Sequence, residues 1–162
     1  MSPSVRIDGF ALLVALVGLL PAYAAEPDRM VAVIVAANHG KNPGIEDVAL
    51  IYRRKKLFWA DGTKVNPVNL ASTHPLRHLF SQVVLGASPE DLEKYWNNMY
   101  FHGVSPPFVL SSEEAVLRFV AQTPGAIGYV SYCDVDPRVK VALVFNASGP
   151  ISEDAAKAAC QK

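Results

Sequence analysis

The stretch VAVIVAA at positions 31–37 contains no polar side chain and is dominated by β-branched residues. Such a run is expected as a strand covered on both faces, as in a parallel sheet, because either face left to water would be hydrophobic. The rest of the chain must therefore supply covering layers for it.

The segments that follow are suited to that task. Asn38-His39-Gly40-Lys41-Asn42-Pro43-Gly44 has the composition of a loop. Glu46 and Asp47 then open a helix with Val48, Ile51 and Tyr52 on one face. Arg53, Arg54, Lys55 and Lys56 close it, acid first and base last as the helix dipole favours. Phe58-Trp59-Ala60-Asp61-Gly62 reads as a turn with aromatic anchors. Residues 65–70 read as a second strand, short because Pro67 lacks a donor. Next comes a helix with Leu76, Leu79, Phe80, Val83 and Val84 inward, ended by Gly86. Ser88 and Pro89 start another, whose buried stripe is Leu92, Tyr95, Trp96 and Met99. Ser111-Ser112-Glu113-Glu114 fits a capping box for a helix with Ala115, Val116, Phe119 and Val120 inside. Two further strands are expected at 126–130 and 139–145, and a last short helix in the tail from Ser152. Strands alternating with helices predict an α/β fold with a mostly parallel sheet sandwiched by helices.

The 162 residues are about one domain's length, and fifteen basic residues balance fifteen acidic ones. No basic excess points to nucleic acid as a partner. Residues 1–24 read as a secretory signal peptide: Arg6 near the start, an apolar run from Phe10 to Leu20, then Pro21 and an Ala22-Tyr23-Ala24 exit. An uncleaved anchor is the alternative, although the apolar run falls short of the about 20 residues a spanning helix needs. The expected mature chain, 25–162, is a single α/β domain in the periplasm. Such a compartment permits Cys133 and Cys160 to pair; two isolated thiols are the other reading.

If the strands run parallel, their carboxyl ends share one edge, where open α/β sheets bind ligands. That edge is expected to carry Asn38 and His39 after the first strand and Ser72, Thr73 and His74 after the second. Ser72 and Thr73 offer hydroxyls, the next helix offers unpaired N–H groups, and Arg77 lies one turn in. This is a pattern able to hold phosphate, sulfate or a carboxylate. The same Ser, Thr and Pro residues are also the ordinary signature of a capped helix start. His74 and His78 share a helix face at metal-chelating spacing, but no acidic fourth partner accompanies them, and no metal or cofactor is expected. The carboxylates fall in first turns of helices, and no nucleophile–base pairing or phosphate-cradling glycine loop is present. Nothing in these residues points to an enzyme.

Taken together, several motifs carry a resemblance. They are Ile51-Tyr52, Trp59-x-Asp61-Gly62, the Val65-x-Pro67-Val68 strand, the Ser72-Thr73 helix mouth, and Thr123-Pro124-Gly125-Ala126-Ile127-Gly128-Tyr129-Val130. The chain resembles the phosphate-type periplasmic substrate-binding proteins of ABC transporters, with a type II binding-protein fold. The likeness covers about 31–145, one lobe of the family's two. It implies a secreted protein that binds a small phosphate-like anion weakly and without bond chemistry, in partnership with a membrane transporter or receptor. The implied ligand-binding residues are Ser72, Thr73, His74, Arg77, Asn38 and His39. The family's Ser-Gly-Thr triplet at the helix mouth lacks its glycine here. That departure favours the alternative of an interaction or signalling module of an envelope complex that has lost anion binding.

Overall fold

The computed structural model describes residues 29–161; the expected signal peptide lies outside the described residues. Strand β1 (Val31–Ala36) is buried along nearly its whole length. It is followed by α1 (Ile45–Tyr52), β2 (Asn66–Leu70), α2 (Pro75–Leu85), α3 (Leu92–Phe101), β3 (Phe108–Leu110), α4 (Glu113–Gln122), β4 (Ala126–Ser131), β5 (Val139–Asn146), β6 (Gly149–Ile151) and α5 (Glu153–Cys160). The six strands form one sheet in the order β3-β2-β4-β1-β5-β6. The α/β class therefore stands.

The sheet is mixed, which corrects the expectation that it is mostly parallel. β2 pairs in parallel with β3 and β4, whereas β1 runs antiparallel to β4 and β5, and β6 antiparallel to β5. The cause lies in segment 53–65. A hairpin bridging Phe58 and Lys64 returns the chain to the end of the sheet where β1 stopped. There the Asn66 N–H donates to the Gly125 carbonyl at 2.9 Å, and β2 sets off in the opposite direction from β1. A both-face-buried strand looks the same in either direction, since its apolar run carries no mark of polarity.

Both faces of the sheet are covered. Val116 and Val120 of α4 sit over Gly128, where a Cβ would lie 2.5 Å from Val116 Cγ1. On the other face Tyr52 of α1, Phe80 of α2 and Tyr129 of β4 form an aromatic cluster, with Phe80 and Tyr129 stacked at 4.1 Å between centroids. The Tyr52 hydroxyl donates to the Val68 carbonyl at 2.9 Å, so its burial leaves no orphan donor. Burial pushes the Tyr52 phenol well above its ordinary range.

Helix ends differ in detail from expectation. α2 is capped by His74, whose Nδ1 accepts from the Leu76 N–H at 3.2 Å, and not by Ser72 or Thr73. α4 is capped by Ser112, which frees Glu113 and Glu114 to make other contacts. Cys133 and Cys160 form a disulfide with Cα atoms 5.6 Å apart, tying α5 to the turn after β4.

Candidate functional site

The antiparallel course of β1 separates the residues expected to converge. Asn38 and His39 follow β1 at the end of the sheet where β2 and β4 begin, since Val35 pairs with Ile127 and Asn66 with Ala126. Ser72, Thr73 and His74 follow β2 at the opposite end. Asn38 and His39 are therefore corrected: they cannot share a ligand with the helix mouth.

At the Asn38 end, a cavity of about 290 Å³ is lined by His39, Trp59, Asp61, Thr63, Gln122 and neighbouring residues. Asp61 Oδ1 accepts from the Thr63 N–H at 2.8 Å, and that bond holds the carboxyl below the usual carboxylate range. An ionised carboxylate in the wall, with no lysine or arginine among the lining residues, disfavours an anion there.

The helix mouth is occupied by the chain's own groups. Pro75 has no N–H. The Leu76 N–H goes to the His74 ring, and the Arg77 and His78 N–H groups go to the His74 carbonyl. The donors that make a helix start an anion site are thus already used. The Glu113 carboxylate also stands at this edge, accepting from the Ser131 N–H at 2.5 Å and lying 3.8 Å from His74 Nε2. Ser72 and Thr73 remain solvent-exposed hydroxyls. His74 and His78 turn to different carboxylates, His78 lying 3.9 Å from Glu90, so they do not converge as a chelating pair. Among the described residues no group of three His, Cys, Asp or Glu side chains is placed to hold a metal ion.

Arg77 is the exception among these residues. It lies on the inward face of α2 with Phe80, Ser81 and Val84, and only 8% of it is exposed. Among the described residues it pairs with no carboxylate, and its Nε is buried without a hydrogen-bond partner. Beside it are the buried phenols of Tyr52 and Tyr129: burial pushes the Tyr129 hydroxyl up to about 12, and the Arg77 guanidinium opposes that rise through its charge and a hydrogen bond to the phenol, its Nε alone remaining unpartnered. Arg77 borders a cavity of about 360 Å³ together with Asn69, Glu93, Trp96, Asn97, Pro106, Pro107 and Val109. That volume is at the small end for ligand cavities and suits a small molecule only.

A hydrogen-bond relay sets the polarity of this cavity's floor. The Leu70 N–H donates to the Tyr129 hydroxyl oxygen at 3.3 Å, so the single phenolic proton is directed to Asn69 Oδ1 at 3.1 Å. The Asn69 oxygen is thereby engaged and its amide nitrogen turned away from Tyr129. Donors remain at the floor: the Asn69 amide and the Arg77 guanidinium. Asn69, Trp96 and the Pro106-Pro107 wall were not anticipated from sequence. The available signal was an arginine at an apolar position of the α2 pattern.

No family model matches the sequence, and no curated protein matches it. Among solved structures the chain is similar to a protein assigned as a phosphate ABC transporter substrate-binding protein from Clostridium perfringens, solved with bound phosphate. The match has 19% identity and a TM-score of 0.58, over 71% of this chain and 45% of that one. An ABC-type phosphate transport receptor from Vibrio cholerae matches at 20% identity and a TM-score of 0.58, over 78% and 53% of the two chains. PstS from Borrelia burgdorferi matches at 18% identity and a TM-score of 0.50, over 65% and 41%. The chain spans about half the length of these proteins or less. At such identities the likeness is one of fold, that of a single lobe of a periplasmic binding protein. Among the described residues no helix is long and apolar enough to cross a membrane.

Proposed function

We propose that this chain is a secreted, periplasmic one-lobe binding module that holds a small anion at Arg77 and neither makes nor breaks bonds in it. The observation that carries this reading is the buried guanidinium without a counter-charge, opening on a cavity with a donor-lined floor. Burying a cation unpaired costs several kcal/mol, a cost an incoming anion offsets. Likeness to one lobe of phosphate-binding proteins supports a binding role and a transporter or receptor as eventual partner. Binding is expected to be weak, because Glu93, Asn97, Pro106 and Val109 of the lining are solvent-exposed and water competes for the ligand there.

The test is calorimetric titration with acetate, phosphate and sulfate. Binding in the roughly micromolar to millimolar range is expected, lost in Arg77→Met and retained in Ser72→Ala/Thr73→Ala. Silence from wild-type protein with every anion overturns the reading. Loss in the Ser72/Thr73 variant alone returns the site to the helix mouth.

A second reading, an interaction module of an envelope complex, is favoured by a different observation. Phe101 at the end of α3 is 86% exposed, and Phe108 on the uncovered edge strand β3 is 79% exposed. Bare edge strands flanked by aromatic side chains are common docking surfaces. Silent titrations, combined with retention on envelope membranes that Phe101→Ser/Phe108→Ser abolishes, would support this reading over the first.

A further inference from the structure

The cavity above Arg77 is not uniformly polar, and its asymmetry indicates which anion it fits. Its floor is the donor pair of Arg77 and Asn69, both more than nine-tenths buried. Its walls are the Trp96 ring, Pro106, Pro107 and Val109, and Glu93 of α3 stands among the lining residues as the only carboxylate. A phosphate dianion would set charged oxygens against the apolar walls and toward Glu93. A carboxylate is planar, carries one charge, and meets a guanidinium through two parallel hydrogen bonds. Attached to an apolar body, it would place each part of the molecule against matching chemistry: the head on Arg77 and Asn69, the body along Trp96 and the prolines.

From this arrangement we infer that the site takes a small organic monocarboxylate with an apolar body, in preference to inorganic phosphate. The inference rests on the reading of Arg77 as an anion-binding group and specifies its ligand class. Trp96 doubles as a reporter, since a body seated against its ring changes its emission once Trp59 is replaced.

The experiment uses four probes on the whole secreted chain and on its Trp59→Phe form: phenylacetate, acetate, inorganic phosphate and 2-phenylethanol. Phenylacetate is expected to bind at least about tenfold more tightly than each of the other three, because only it carries both the charge and the body. It should also shift Trp96 emission. Arg77→Met should remove about tenfold or more of phenylacetate affinity while leaving 2-phenylethanol unchanged. Should Arg77→Met fail to fold, Trp96→Leu at the half-exposed wall serves instead, weakening phenylacetate while leaving acetate unchanged. Phosphate binding that depends on Arg77 and equals or exceeds that of phenylacetate overturns the monocarboxylate assignment and leaves anion binding at Arg77 standing. Absence of binding by all three anions overturns both.

Discussion

The Trp59 indole N–H donates to the Gly125 carbonyl at 3.0 Å, joining the tryptophan turn to the Thr-Pro-Gly run. The same carbonyl accepts from the Asn66 N–H, and the Asn66 side chain donates to the Pro124 carbonyl at 2.9 Å. The two most recognisable motifs of the sequence thus build a joint at the end of the sheet away from Arg77. Their work is architectural.

Gly125 should tolerate no side chain. Its φ is +70°, and a Cβ there would lie 2.1 Å from the Lys64 carbonyl oxygen. We predict that Gly125→Ala loses at least about 2 kcal/mol in urea unfolding. Trp59→Phe, which removes one of two donors to that carbonyl, should lose about 1 kcal/mol. Equal stability of Gly125→Ala and wild type would contradict the geometry of this joint.

Arg77 should be a liability to stability in the absence of ligand. Replacing a buried unpaired cation by an apolar residue of similar length is expected to leave stability unchanged or raise it by about 1–4 kcal/mol. Asn69 and Tyr129 keep their mutual hydrogen bond in Arg77→Met, so no acceptor is stranded. Thermal and urea unfolding decide the matter. A loss above about 2 kcal/mol would mean that the guanidinium is satisfied within the fold and has no need of an anion.

Acid should act through a surface triad. Hydrogen bonds from Arg138 bring the Glu114 carboxyl from its usual 4.5 down to about 2, and also lower Asp136. A carboxylate depressed in the folded state stabilises it above the unfolded-state pKa and loses that contribution as pH falls through the folded one. The melting temperature should therefore decline as pH drops from about 4.5 toward 2, and Arg138→Gln should flatten that limb by lowering the melting temperature modestly at pH 7 and converging with wild type near pH 2. All three groups face solvent, so added salt should flatten it too. Superimposable profiles for the two proteins would refute the assignment.

Reduction should loosen the tail. The Cys133–Cys160 bridge closes a 27-residue separation, for which the chain-entropy model gives about 3.5 kcal/mol at 25 °C. A dithiol, or Cys133→Ser/Cys160→Ser, should lower the unfolding midpoint accordingly and speed amide exchange in α5. Exchange in β1, inside the sheet, should accelerate only through global unfolding.

Much of the local structure was legible in the residues. The run at 31–37 demanded cover on both faces, and Val31 to Val35 have it, while Ala37 lies exposed past the strand end. Val48, Ile51 and Tyr52 face inward as their spacing requires. Gly86 ends α2 in the left-handed conformation. Sequence and structure part where several local solutions satisfy the same groups. Ser72, Thr73 and His74 all have side chains able to cap a helix, and which of them does so depends on where the chain enters. The short strand β3 carries no sequence signal, because its three residues lie in a largely exposed stretch with no burial pattern.

Helix faces and the α/β class follow from short-range periodicity, which any window of the chain carries within itself. Strand direction does not, because an apolar run packs equally well pointing either way; only the hairpin at 58–64, joined to Gly125, decides that β1 opposes β2. The candidate site shares that dependence. Arg77 becomes an unpaired buried charge only when Asn69, Tyr129 and the α3 wall close around it, and contacts across that distance in sequence exist in the folded chain alone.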